Sequence, residues 1–393
     1  MLKSIAQIFS SHILVKIIGL INIAIILSFL SISEFGNYSY YLLMLHLVAI
    51  IIDPFLSAYL VDYKLNDYKK YNLGIFIYSI ILLPIFYLGL SFNITVELRV
   101  FLFFSFSFVA SGILKSFLNT KEHFLKYGLV DVFRQSTIFI STIFCLYVLK
   151  NNDYLFLLEL NYASSFIVML LLLPFFIKKR EVYFKIKIKS FKTLFKNAKY
   201  LIFYTALVPI IAFIDSYFVE KYLSERDLGL YSFSLKIYSI SLMLVVPVFT
   251  VLNLKQLEVA KEKKYLDFLK KHLTKVLAYS FILLVGATVF NYLITQYVYT
   301  SYKASFLDTT ILLCAAFITY ISMPFSFLIA YRKHNFLFLL SLIALTVNIL
   351  INYFYISEYG TIVAAISTFL AQTIINLGAA ILSYLLIDDK LEE

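Results

Sequence analysis

Tryptophan is absent, and only two cysteines, six prolines and ten glycines occur in 393 residues. Cys145 and Cys314 both sit inside apolar runs, so neither a disulfide scaffold nor a CxxC metal site is available. Charge is scarce as well. Only 15% of residues are Asp, Glu, Lys or Arg, against roughly 25% in soluble domains, which excludes water as the main solvent of this chain. What fills the sequence is apolar: 62% of side chains are hydrophobic, 40 Phe and 32 Tyr among them, and mean hydropathy is +0.88. That is enough for roughly twelve membrane helices at ~20 residues each, an all-α polytopic membrane protein. The net charge of +11 then points to cytoplasmic loops and not to nucleic acid.

Apolar runs of spanning length occur near 12–32, 38–60, 73–92, 100–118, 128–149, 154–177, 200–218, 231–253, 276–294, 306–331, 336–356 and 361–386. The first is no export signal: Lys16 falls inside it and no small-residue cleavage site follows. Ahead of it, Leu2, Ile5, Ile8 and Phe9 keep the spacing of a short helix lying on the membrane surface. Alternate loops divide Lys and Arg 26 to 5, with Lys115, in the last turn of the fourth run, assigned to its nearest loop and Lys16, Arg134 and Lys236 left inside spans. Because basic residues are held back during insertion, both termini, the 178–199 loop and the 254–275 loop are expected in the cytoplasm. Phe191, Leu194, Phe195, Ala198 and Leu201 recur helically among Lys189, Lys192, Lys196 and Lys199, which suits an interfacial helix joining two halves. All six outward loops are short, the longest near 219–230.

The chain repeats itself at an offset of 193. Leu30-Ser31-Ile32-Ser33-Glu34-Phe35-Gly36-Asn37-Tyr38-Ser39-Tyr40 aligns with Leu223-Ser224-Glu225-Arg226-Asp227-Leu228-Gly229-Leu230-Tyr231-Ser232-Phe233, identical in five columns and alike in three more. At the same offset Pro54 meets Pro247 and Asn22 meets Asp215. Both copies open a six-helix block in the same orientation, so the expected domains are an N-terminal lobe (1–177), a basic linker (178–199) and a C-terminal lobe (200–393), a parallel repeat. Such a repeat places a substrate path between lobes that rock. All six prolines fall within predicted spans, where each is a kink or a bending point.

The ionisable residues singled out inside spans are Lys16, Asp53, Asp131, Arg134, Glu159, Asp215 and Lys236. A charge near a helix centre costs ~2.5–3.5 kcal/mol on insertion scales, so such residues should face a bundle interior or a wet cavity. Glu159 and Lys236 are shallow enough to snorkel, and Asp131 with Arg134, three apart on one helical face, can neutralise each other. Lys16, Arg134 and Lys236 suit an anionic cargo such as a phosphate or pyrophosphate headgroup. Asp53 and Asp215 are the candidates for coupling transport to H+ or Na+. No metal centre or organic cofactor is indicated.

The basic first helix, the turn Glu34-Phe35-Gly36-Asn37-Tyr38-Ser39, its copy from Asp227 to Ser232, Glu358-Tyr359-Gly360 before the last helix and the basic central loop together resemble the polysaccharide flippases. These are the Wzx-type O-antigen and repeat-unit translocases of the multidrug/oligosaccharidyl-lipid/polysaccharide exporter superfamily. The resemblance implies a two-lobed bacterial inner-membrane transporter that moves undecaprenyl-pyrophosphate-linked oligosaccharide to the outer leaflet by alternating access with cation coupling. Its partners would be that lipid-linked oligosaccharide, membrane lipids and other polysaccharide assembly proteins. It also implies that Lys16, Asp53, Asp215 and Lys236, in the first, second, seventh and eighth helices, line the portal. Two rivals share the hydropathy. A polymerase or glycosyltransferase of lipid-linked sugars needs catalytic groups in a large outward loop, and a drug/cation antiporter of the same superfamily needs an acidic cavity without several cations.

Overall fold

In hydrocarbon every backbone N–H and C=O must be satisfied within its own segment, so a chain this apolar has the helix as its economical form. A computed structural model describes residues 2–50, 52, 71–72, 75–91, 97–121, 123–177, 182–183, 188–243, 259, 265–331 and 333–388. The chain is an all-α polytopic membrane protein. Its helices are α1 (Leu2–Phe29), α2 (Ile32–His46), α3 (Ile75–Ser91), α4 (Leu98–Thr120), α5 (Phe124–Ile143), α6 (Tyr154–Phe176), α7 (Ile188–Tyr222), α8 (Glu225–Met243), α9 (Tyr265–Leu293), α10 (Phe306–Ser322), α11 (His334–Tyr359), α12 (Thr361–Gln372) and α13 (Gly378–Asp388). A π-turn at Thr373–Leu377 joins the last two. The small exception among the described residues is a two-residue parallel pairing of Tyr71–Asn72 with Val182–Tyr183.

Eight described helices are long and apolar enough to cross a membrane, and two shorter apolar ones, Ile13–Phe29 and Ile80–Ser91, accompany them. The second and eighth predicted spans lie partly outside the described residues, as do Pro54 and Pro247. Large apolar side chains such as Phe175 (79% exposed) and Ile282 (67%) stand on the outer surface, the kind of surface that lipid accepts.

Three boundaries differ from the sequence reading. The expected surface helix over residues 2–9 is the first part of a continuous 28-residue α1. The expected interfacial helix in the central loop is the first part of the 35-residue α7, about 52 Å long at 1.5 Å per residue, well beyond the ~30 Å hydrocarbon core. The expected outward loop near 219–230 contracts to Leu223–Ser224 between α7 and α8. Local chemistry explains the last of these. The Ser224 hydroxyl donates to Asp227 Oδ2 (2.6 Å), and the Asp227 and Ser224 backbone N–H groups donate back to Ser224 Oγ and Asp227 Oδ2, both at 3.2 Å. This reciprocal capping box starts the helix at once. Ser224→Ala is expected to cost about 1 kcal/mol, read as a small drop in melting temperature in detergent.

The described chain divides into two compact units: Met1–Ser31 with Tyr41–Pro209, and Ile32–Tyr40 with Ile210–Glu393. In the first, α4 and α6 run alongside each other, joined by a Ser107–Ser165 hydroxyl pair (2.7 Å) and by Phe104 against Tyr162 (4.7 Å between ring centroids). Ala110, Leu114, Phe117 and Leu118 continue that seam against Val130, Met169 and Ile202. In the second unit the two repeat copies meet. Gly36 and Gly229 face each other so closely that a Cβ on Gly36 would stand 2.6 Å from the Gly229 backbone nitrogen. Phe35 and Phe233, on either side, both pack on the Tyr302 ring.

Candidate functional site

Among the described residues, two polar clusters built around a carboxyl group stand out within the helices, one in each unit. The first is built from α1, α4 and α5. Asp131, Arg134 and Gln135 fall on one face of α5 by their three- and four-residue spacing. Asp131 does not neutralise Arg134 as the sequence suggested. Instead Lys115 reaches across from α4 to Asp131 Oδ2 at 2.8 Å, its ammonium also 4.9 Å above the Tyr127 ring centre. Lys16 of α1 is within electrostatic reach of Asp131, Arg134 and Lys115. Gly19, one turn further along α1, lets the Gln135 amide approach to 3.6 Å of where a Cβ would stand. Arg134 makes no ion pair or hydrogen bond among the described residues. Three cations thus surround one carboxylate, a local charge of about +2 with Arg134 uncommitted, and in a low-dielectric setting such a group attracts an anion strongly.

The second cluster centres on Asp215 of α7, 2% exposed. Asn348 and Asn352, one turn apart on α11, donate their amides to Asp215 Oδ1 at 2.9 and 2.7 Å. The Ser367 hydroxyl of α12 donates to the same oxygen at 2.8 Å, and Thr368 donates to Oδ2. Among the described residues Asp215 has no cationic partner, and its carboxyl oxygens are met by side-chain dipoles alone. Every one of those donor groups also carries an oxygen. Rotating either amide by half a turn, or either hydroxyl about its Cβ–O bond, presents a carbonyl or hydroxyl lone pair where a proton now points. Asn352 Oδ1 is already buried without a partner among the described residues.

Residues 1–253 match the family model described as polysaccharide biosynthesis protein. The chain belongs to that family. No curated protein sequence matches it. Among solved structures the chain is similar to an outward-facing multidrug-resistance MATE family transporter of the MOP superfamily, with 12% identity, 98% of this chain and 96% of that one covered, and a TM-score of 0.68. The lipid II flippase MurJ in an inward closed conformation gives 16% identity, 99% and 92% coverage and a TM-score of 0.64. A MOP superfamily transporter from Pyrococcus furiosus gives 13%, 98%, 96% and 0.63. At these identities the likeness is one of fold: this member of the polysaccharide biosynthesis family has the fold of MOP-superfamily transporters.

Of the residues singled out from sequence, Lys16 and Arg134 come together in the first unit and Asp215 centres the second cluster. Lys236, on α8, is half-buried and shares no hydrogen bond or ion pair with Asp215 or any other described residue. Asp53 lies outside the described residues. The sequence reading of this family member missed Lys115, assigned there to a loop, and missed Asn348, Asn352, Ser367 and Thr368. The signal for the asparagines was present: two amides four residues apart inside an apolar run, each needing partners that lipid does not supply.

Proposed function

We propose that this protein flips undecaprenyl-pyrophosphate-linked oligosaccharide from the cytoplasmic to the outer leaflet of a bacterial inner membrane by alternating access, with Na+ bound at Asp215 as the coupling ion. The observation that carries the reading is the group of Lys16, Lys115 and Arg134 around the single carboxylate of Asp131. Its excess of about two positive charges matches the two negative charges of a pyrophosphate diester, and the Arg134 fork suits paired phosphate oxygens. The same excess repels a cationic drug, which disfavours the antiporter reading. For the coupling ion, a carboxylate ringed by amide and hydroxyl oxygens is the donor set of a hard cation. Family membership supports polysaccharide assembly as the setting, and the 26-to-5 division of basic residues supports cytoplasmic termini.

The test uses vesicles containing the purified full-length protein and a labelled polyprenyl-pyrophosphate oligosaccharide. Wild type is expected to move it faster than protein-free vesicles, and faster than the monophosphate analogue. Arg134→Ala and Lys16→Ala should each slow flipping about tenfold or more, the loss of charge-assisted hydrogen bonds of ~1.5–3 kcal/mol. Wild-type rates in both variants, or no preference for the pyrophosphate, would overturn the assignment.

A further inference from the structure

We propose that a groove between α4 and α6 binds a phospholipid with a zwitterionic, ammonium-bearing headgroup, its phosphate on Arg99, its ammonium on Glu159 and its chain against the phenylalanines below.

The groove has a volume of about 560 Å3 and is lined by Arg99, Leu102, Phe103 and Phe106 of α4 and by Glu159 and Phe166 of α6. On α4 these positions are i, i+3, i+4 and i+7, one stripe of a helix. On α6 Glu159 and Phe166 are again seven apart. The two helices run in the same direction, because Phe104 meets Tyr162, Phe106 meets Phe166 (5.6 Å between centroids) and Ser107 meets Ser165 in step. Arg99 and Glu159 therefore stand level with each other, each about 10 Å along its helix from the Phe106–Phe166 pair.

Level and opposite in sign, they nonetheless do not pair: neither makes an ion pair or hydrogen bond among the described residues. A guanidinium and a carboxylate held apart at the mouth of an aromatic groove call for a ligand that carries both charges at one end and hydrocarbon at the other. An inorganic anion would leave Glu159 opposed, and an uncharged acyl chain would leave both groups unused. An ethanolamine-type phospholipid satisfies each: the Arg99 fork donates to phosphate oxygens, the primary ammonium donates to the Glu159 carboxylate, and the first chain carbons lie on Phe103, Phe106 and Phe166. Neither residue belongs to the Lys16–Lys115–Asp131–Arg134 group, so the inference stands independently of what the protein transports.

The purified full-length protein is equilibrated with mixed vesicles of phosphatidylethanolamine, phosphatidylcholine and phosphatidylglycerol in equal parts, and the retained lipid is identified by native mass spectrometry. Phosphatidylethanolamine should be enriched about fivefold or more over phosphatidylcholine, whose quaternary ammonium donates no hydrogen bond to Glu159. Glu159→Gln should erase that preference, and Arg99→Gln should lower retention of all three lipids, both variants melting as wild type does. The comparison of the two zwitterionic lipids needs no variant, so it stands even if one fails to fold. Retained lipid that mirrors the mixture, equal retention of the two zwitterions, or preference for phosphatidylglycerol would overturn the proposal.

Discussion

Replacing Asp215 by Asn is expected to abolish the response of flipping to a Na+ gradient while leaving the protein folded. Asparagine keeps the shape of the side chain, so its oxygen still accepts from Asn348, Asn352 and Ser367, and its amide can donate to Thr368, whose hydroxyl turns to accept. What disappears is the formal charge. Cation affinity should fall on the order of 100-fold, or about 2.7 kcal/mol. Asp215→Ala makes the contrast. It takes the acceptor from two buried amides and two hydroxyls, of which Asn352 and Ser367 keep the Asn348 and Ala364 backbone carbonyls, and each group left unsatisfied costs ~1–3 kcal/mol, so that variant should lose stability as well as coupling. Flipping and thermal melting measured on both variants separate the two effects. An Asp215→Asn protein that follows the Na+ gradient as wild type does would remove Asp215 from coupling.

A methyl group at Gly229 should be among the most damaging single additions to the second unit. Its Cβ would collide with the Ile32 carbonyl oxygen and stand 2.6 Å from Ile32 Cγ2. Backbone on backbone has no flexible side chain to yield, so the helix starts must separate, and the cost should reach or exceed the ~3 kcal/mol upper end of ordinary overpacking. Gly36→Ala should behave alike, and the double variant should cost less than the sum, because the first substitution opens the gap the second needs. Gly89→Ala and Gly286→Ala are the controls. Nothing lies within 4 Å of a Cβ at either, and helix propensity alone predicts a gain of ~0.5–1 kcal/mol. Melting temperature and membrane yield of the five variants decide it: a Gly229→Ala variant as stable as the controls would mean the crossing is not built as described.

The repeat was visible in the sequence as a matched turn, yet what it was for was not. Glu34-Phe35-Gly36 and Asp227-Leu228-Gly229 read as loop, because glycine, asparagine, serine and acidic residues are the usual loop composition. They form helix starts instead, since a serine three residues before a carboxylate caps a helix, as Ser224 and Asp227 do, and since the glycines serve close approach rather than a turn. In the first unit, sequence spacing offered Asp131 a partner on its own helix in Arg134. Packing brought Lys115 from the preceding helix closer, and the shorter ion pair won.

Hydropathy, charge asymmetry and a half-length repeat needed nothing beyond the residues themselves. Apolar runs of about 20 residues cross lipid as helices, and an intramembrane charge is costly enough that Lys16, Arg134 and Asp215 stood out wherever they were placed. Which groups surround those charges was settled by folding alone. Asn348, Asn352, Ser367 and Thr368 lie 133 to 153 positions from Asp215, and neutral amides and hydroxyls leave little trace in a hydropathy profile. Helix packing brings them within hydrogen-bond reach of one buried carboxyl group, because in a dry interior its oxygens must be met by hydrogen-bond donors, and the nearest lie on other helices.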